Sequence, residues 1–225
     1  MKKNKQRLPI GRRPANRSKG HRHLIITNGK VTELEYFRFL IEECDARGRV
    51  IVKYIEGDPS KVAKKMKGLL EGESDSVVKV QGMEPISSIW LVTDSDEFHN
   101  LQKVEIEIRD FGASLCISNP CFEVWLIDHS EACSDALYSS KCCERRAKEL
   151  GVIKPIDSRR NGLSRCKDVN AALLKGKTEI ATRNAQSHNT KEKAKIRSNR
   201  PDDTSRYAVW TDVPELVETV FGVSV

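Results

Sequence analysis

Residues 88–96 read Ser-Ile-Trp-Leu-Val-Thr-Asp-Ser-Asp, and this stretch decides the fold. The β-branched and aromatic run from Ser88 to Thr93 suits the pleated, half-buried surface of a strand. It stops at Asp94 and Asp96, whose carboxylates must reach water, a cation or a metal at the strand's tip, because burying them without a partner is costly. In Asp-Ser-Asp the second carboxylate falls two residues after the first, so both can lean to one side of the opening loop. Two hard oxygen donors on one side form half of a magnesium or manganese site. The plainer alternative is a helix cap, with Asp96 and Glu97 favoured by the dipole of the helix that follows.

Working outward, Leu24-Ile25-Ile26-Thr27 reads as a short buried strand ended by Asn28-Gly29-Lys30. Thr32 is the expected N-cap of the next helix, in which Tyr36, Phe37, Leu40, Ile41 and Cys44 recur at helical spacing through about Arg47. Val50 to Ile55 is a second strand. Asp58 caps, and Pro59 opens, a helix with Val62, Met66, Leu69 and Leu70 on its apolar stripe. Residues 71–87 form a polar connection with an edge strand expected around Val77 to Val80. The strand ending at Asp94 is the third, and a helix from about Glu97 to Arg109 buries Leu101, Val104 and Ile108. Ser114 to Ser118 is the fourth strand, stopped by Asn119-Pro120, and Phe122, Val124, Trp125, Leu126 and Ile127 make an apolar helix. Four strand-then-helix units in succession predict an α/β fold, a parallel sheet of about four strands flanked by helices. Beyond residue 130 the pattern turns helical: Ser134 to Leu150, about Asp168 to Gln186, and a closing helix after Pro214 carrying Leu216, Val217, Val220 and Phe221.

The 225 residues therefore divide into a basic arm (1–22), an α/β core (23–130) and a mainly helical extension (131–225) with a polar, basic loop at about 187–205. Of 39 Lys and Arg, nine lie in residues 1–22 beside no acid, leaving 30 against 32 acids, so the net charge of +7 belongs to the arm and not to the body. The arm and the second basic run (Lys191, Lys193, Lys195, Arg197, Arg200) read as flexible tracts that bind phosphates by counterion release or simply keep the chain solvated. No apolar run is long enough to cross a membrane, and the N-terminus lacks the apolar centre of a signal peptide, so a cytoplasmic location is expected. Seven cysteines, with no CxxC pair, read as reduced structural thiols; a zinc site from Cys133, Cys142 or Cys143 with His129 has unusual spacing.

In a parallel sheet every strand-to-helix loop emerges on the carboxyl edge, where ligands bind. Three such loops carry chemistry: Asn28, Gly29 and Lys30 with Glu33 one turn on; Asp94 and Asp96; and Asn119 and Pro120 with Glu123 in the next helix. Glu33, Asp94 and Asp96 together are the expected metal ligands. For Glu33 the alternative is a dipole-stabilised acid in the first helical turn; for Glu123, among Phe122, Val124 and Trp125, it is pairing with a buried base.

The segments Thr27-Asn28-Gly29-Lys30-Val31-Thr32-Glu33-Leu34-Glu35-Tyr36-Phe37, Asp94-Ser95-Asp96-Glu97-Phe98 and Ser118-Asn119-Pro120-Cys121-Phe122-Glu123-Val124-Trp125-Leu126 resemble the signatures of RloB-like proteins. That family is found in restriction and abortive-infection loci and is regarded as a divergent Toprim domain. The resemblance covers Leu24 to His129, with a weaker echo near Arg183-Asn184-Ala185 and from Thr204 to Val220. It implies a compact Toprim-like fold whose acids bind Mg²⁺ or Mn²⁺, with the Asp-x-Asp pair holding the metal. In such domains a Glu before the first-loop Gly acts as general acid or base; here that residue is Asn28, an amide that cannot shuttle a proton. Toprim nucleases of the overcoming-lysogenization-defect type carry a further acid a few residues on, which Glu33 matches.

The activity so implied is Mg²⁺-dependent phosphodiester cleavage of DNA or RNA in a prokaryotic anti-phage system, with Lys30 neutralising the scissile phosphate and a partner ATPase gating the reaction. Its rivals are a catalytically impaired Toprim-like scaffold that binds nucleic acid or the ATPase, and a nucleotide-processing enzyme using the same edge.

Overall fold

A computed structural model describes residues 22–71, 86–95, 98–155 and 167–223. The expected strand at Val77 to Val80, the arm up to residue 21, Asp96, Glu97 and Cys166 lie outside the described residues. The first half alternates as the hydrophobic pattern predicts: β1 (Arg22–Thr27), α1 (Thr32–Glu43), β2 (Val50–Tyr54), α2 (Pro59–Glu71), β3 (Ile86–Asp94), α3 (Leu101–Arg109), β4 (Ala113–Asn119) and α4 (Glu123–Asp128). Then follow α5 (Ser140–Glu149), β5 (Ile153–Pro155), β6 (Lys167–Val169), α6 (Ala171–Leu174), α7 (Thr178–His188), α8 (Lys191–Asn199), a 3-10 turn (Thr204–Arg206), β7 (Trp210–Thr211) and α9 (Val213–Phe221). The main sheet has the order β2-β1-β3-β4-β7, parallel except for β7. β5 and β6 form a separate antiparallel pair.

Alternation along the strands sorts the core into two layers. Ile25, Trp90, Val92 and Cys116 face Tyr36, Phe37 and Leu40 of α1, and this layer continues through α4, α7 and α9. Leu24, Ile26, Leu91, Leu115 and Ile117 face Val62 and Met66 of α2 and Leu101, Val104 and Ile108 of α3. The chain leaves β1 for β2 on one side and β3 for β4 on the other, with α1 and α3 on opposite faces. The loops after β1 and β3 therefore part at the carboxyl edge and leave a crevice between them.

The extension departs from expectation. Helix α5 starts at Ser140, capped by Ser139 Oγ, which accepts from Cys142 N at 3.4 Å; the residues from Ser134 to Ser139 precede it without forming helix. The helix expected from Asp168 to Gln186 is split into β6, α6 and α7, with Gly176 at φ 71° between the two helices. The residues expected as a flexible basic loop at 187–205 hold α8 and the 3-10 turn. Thr190 caps α8, accepting from Lys193 N at 3.3 Å. Two of its bases are turned inward: Lys193 Nζ donates to Asp135 (2.5 Å) and to Val209 O (3.2 Å), and Arg197 bridges Asp212 (2.8 Å) and Glu105 (3.1 Å). Spacing alone hid this, because the carboxylates involved lie far away in the chain. Arg22, assigned to the arm, is the first residue of β1.

Candidate functional site

At the end of β1, Asn28 N donates to Val92 O (3.0 Å) and carries the pairing one residue further. Thr27 Oγ1 donates to Gly29 O (3.0 Å) and folds the loop back. Thr32 is the first helical residue and not the cap, which is Val31 with no side-chain bond. Glu33 is buried, and its carboxylate lies over Gly29: a Cβ added at Gly29 would stand 1.8 Å from Glu33 Oε2. A side chain at position 29 would therefore displace the flexible end of Glu33 from this place. Tyr54, at the end of β2, has its phenol pushed up by burial and further by the charges of Glu56 and Glu33.

Asp94, half-buried, closes β3 opposite Ser118 of β4. Its parity matches Trp90 and Val92, so it belongs to the α1 side of the sheet. The Cys121 thiol is held well above its usual range by a hydrogen bond with Cys143, by burial, and by the charges of Glu123 and Asp94. Glu123 is buried at the start of α4. Lys30 is exposed on the rim. Asn28 Oδ1 is buried at the end of β1 and has no hydrogen-bond partner among the described residues.

Strand order thus sets the Glu33 and Asp94 loops side by side, and Asp94 and Glu123 both act on Cys121. Among the described residues no three of His, Cys, Asp or Glu are grouped closely enough to hold a metal ion. Asp96, the third expected ligand, lies outside the described residues. The oxygen-only donors here are of the type that suits Mg²⁺ or Mn²⁺.

The reading of Asp96 and Glu97 as helix caps falls on residues outside the described ones, but the helix expected from about Glu97 starts later. Helix α3 begins at Leu101, and its first N–H groups are taken by Asp202, with Leu101 N at 2.6 Å and Gln102 N at 3.4 Å. Between the two aspartates Ser95 is anchored inward: its N–H donates to Ser118 O (3.0 Å) and its Oγ to Asn119 Oδ1 (2.8 Å). Asn119 Nδ2 in turn donates to Thr204 O (2.7 Å). Parity turns Asp94 the other way.

The zinc expectation also fails among the described residues. Cys121, Cys133 and Cys143 meet between α4 and α5, but His129 is engaged elsewhere. Its Nδ1 lies 3.0 Å from Trp125 O, which can only accept, so Nδ1 carries the proton and Nε2 accepts from the Tyr36 hydroxyl at 3.3 Å. The six described cysteines are free thiols.

A sequence model of RloB-like proteins matches residues 23–220. The chain belongs to the RloB-like protein family. No curated protein and no solved structure gives a match. The RloB-like match runs past the α/β core into the helical extension, and the contacts of Asp202 and Thr204 show the extension built onto the carboxyl edge. The sequence places Gly29 and Asn119 in the edge loops without showing what they support, and it gives Ser95 and Asp202 no role. The Ser enclosed by two Asp, and the Asn before Pro at a strand's end, were their only local signals. Among the described residues no helix is long and apolar enough to cross a membrane.

Proposed function

We propose that this edge is a divalent-metal site for phosphodiester cleavage in DNA or RNA, with Asp94, Asp96 and Glu33 holding Mg²⁺ or Mn²⁺. The observation that carries the reading is the carboxylate of Glu33 seated over Gly29. It supplies, one residue from Asn28, the acid that the amide at position 28 lacks. A bound Mg²⁺ or Mn²⁺ would act as Lewis acid toward the phosphoryl oxygen and lower the pKa of a water. Glu33 would take the proton from the attacking water. Asn28 Oδ1 orients that water but carries no proton. Lys30 meets the phosphate at the rim, and the basic arm draws in the polyanion. The setting proposed is an anti-phage system with a partner ATPase, as the family resemblance implies.

Mn²⁺ titration followed by electron paramagnetic resonance, together with cleavage of plasmid and RNA, tests this. The parent is expected to bind Mn²⁺ and cut; Asp94→Ala and Glu33→Gln are expected to lose both. Equal cleavage by the parent and Asp94→Ala would refute the assignment. Asn28 favours a second reading, a scaffold that has lost cleavage. An inert parent that gains Mg²⁺-dependent cutting on Asn28→Glu supports that one.

A further inference from the structure

We infer that Arg200 and Arg206 form a clamp for the phosphate backbone of a polynucleotide, bordering the carboxyl edge from the α3 side. The inference rests on the reading of that edge as a phosphodiester site. The two guanidinium groups converge on one acid: Asp203 Oδ2 lies 3.7 Å from Arg200 Nη1 and 4.0 Å from Arg206 Nη1. Their side chains are 67% and 58% exposed. Asp202, the other acid of the segment, is taken up by the first N–H groups of α3, so two cations are left against the single carboxylate of Asp203. At these lengths the contacts are weaker than hydrogen bonds and, being exposed, add little stability. A phosphate can replace Asp203 at small cost, and a guanidinium fork matches its oxygens.

The backbone that carries the arginines is fixed. Pro201 is buried, and its carbonyl accepts from the Tyr207 hydroxyl at 2.5 Å. Asp202 is bound to the start of α3, and the Thr204 carbonyl is held by Asn119, which also holds Ser95 beside Asp94. The segment is thus tied to the acid loop through two side chains, while both arginines point to solvent. Lys193 and Arg197, by contrast, are consumed by internal partners. With Lys30 on the β1 loop, a strand laid over the crevice meets positive charge on both sides of the acids.

Phenylglyoxal footprinting of the full chain in EDTA, read by peptide mass spectrometry, tests the clamp with a 20-nucleotide single-stranded DNA and the matching RNA. Either oligonucleotide is expected to lower modification of Arg200 and Arg206 several-fold, leaving the exposed Arg38 and Arg47 as controls. In a Arg200→Ala/Arg206→Ala variant with an unchanged melting temperature, the salt slope of binding is expected to fall by roughly 1.5, from two lost phosphate contacts. Equal labelling with and without both oligonucleotides overturns the clamp. Protection without Mn²⁺ binding or cleavage sinks the catalytic reading alone, and Mn²⁺-dependent cleavage without protection sinks the clamp alone.

Discussion

Gly29 and Glu33 form one unit although four positions separate them. Helix α1 starts so close to the end of β1 that a side chain in its first turn reaches back over the loop, and its carboxylate occupies the place where a Cβ at position 29 would stand. Gly29→Ala would drive Cβ into that carboxylate and displace it. If Glu33 is a ligand, Mn²⁺ affinity should fall about 10-fold or more, the scale seen when the support of a metal ligand is removed. An unchanged Mn²⁺ titration in a folded Gly29→Ala protein would take Glu33 out of the site. Ser95 works in the opposite sense. By filling the α3 side with its own hydrogen bonds, it leaves the other side of the strand end to Asp94.

At the scale of elements, α8 shows how a basic run becomes structure. Strand β7 pairs with β4 at only two positions, Ser118 with Thr211 and Asn119 with Trp210. Beyond them side chains close the edge of β4: Asp212 Oδ2 accepts from Ile117 N (2.9 Å), and Arg197 Nη2 donates to Leu115 O (3.4 Å). Arg197 thereby docks α8 on the sheet while compensating Asp212 and Glu105. Removing one partner of a buried pair leaves an uncompensated charge, so Arg197→Ala should lower unfolding free energy by about 3 kcal/mol. Urea unfolding checks this, and a loss below about 1 kcal/mol would show the pair to be dispensable. In a double Arg197→Met/Asp212→Asn protein the loss should be smaller, because the more buried of the two acids is neutralised and Glu105, a third exposed, reaches water.

For the whole molecule, the layer that joins α1, α4 and α7 centres on Tyr36, Trp125 and His129, whose rings meet edge to face. Burial, with a smaller push from Lys177, lowers His129 to about 4, against a partial rise from its bond to Trp125 O. The unfolded chain takes up this proton near pH 6.5, the folded one only near 4. The contribution is therefore complete above pH 6.5 and is lost as pH falls toward 4. At pH 5 the loss is about 2 kcal/mol. Asp128, raised by burial despite its bond to His188, works in the opposite direction, so the comparison must be with His129→Gln. That variant should show a flatter stability profile between pH 7 and 5; an identical slope would remove His129 as the cause.

The parallel sheet, its four strand-then-helix units and the edge on which the acid loops emerge were legible in the chain. Strand alternation and helical spacing are local patterns, and a parallel arrangement sends every such loop to one side. Helix α2 was read correctly down to its cap, with Asp58 Oδ1 accepting from Lys61 N at 3.0 Å, because capping needs only neighbours. The closing helix after Pro214 was legible as well and is α9, but the bounds of the other helices beyond residue 130 were not. Their ends depend on Gly176, on Asp212 and on strands of two or three residues, too short to leave a pattern. Which arginine is buried and which faces solvent, and that glycine at 29 makes room for the acid at 33, were decided only in three dimensions. Charge pairing and close approach are properties of groups that the chain brings together after it has folded.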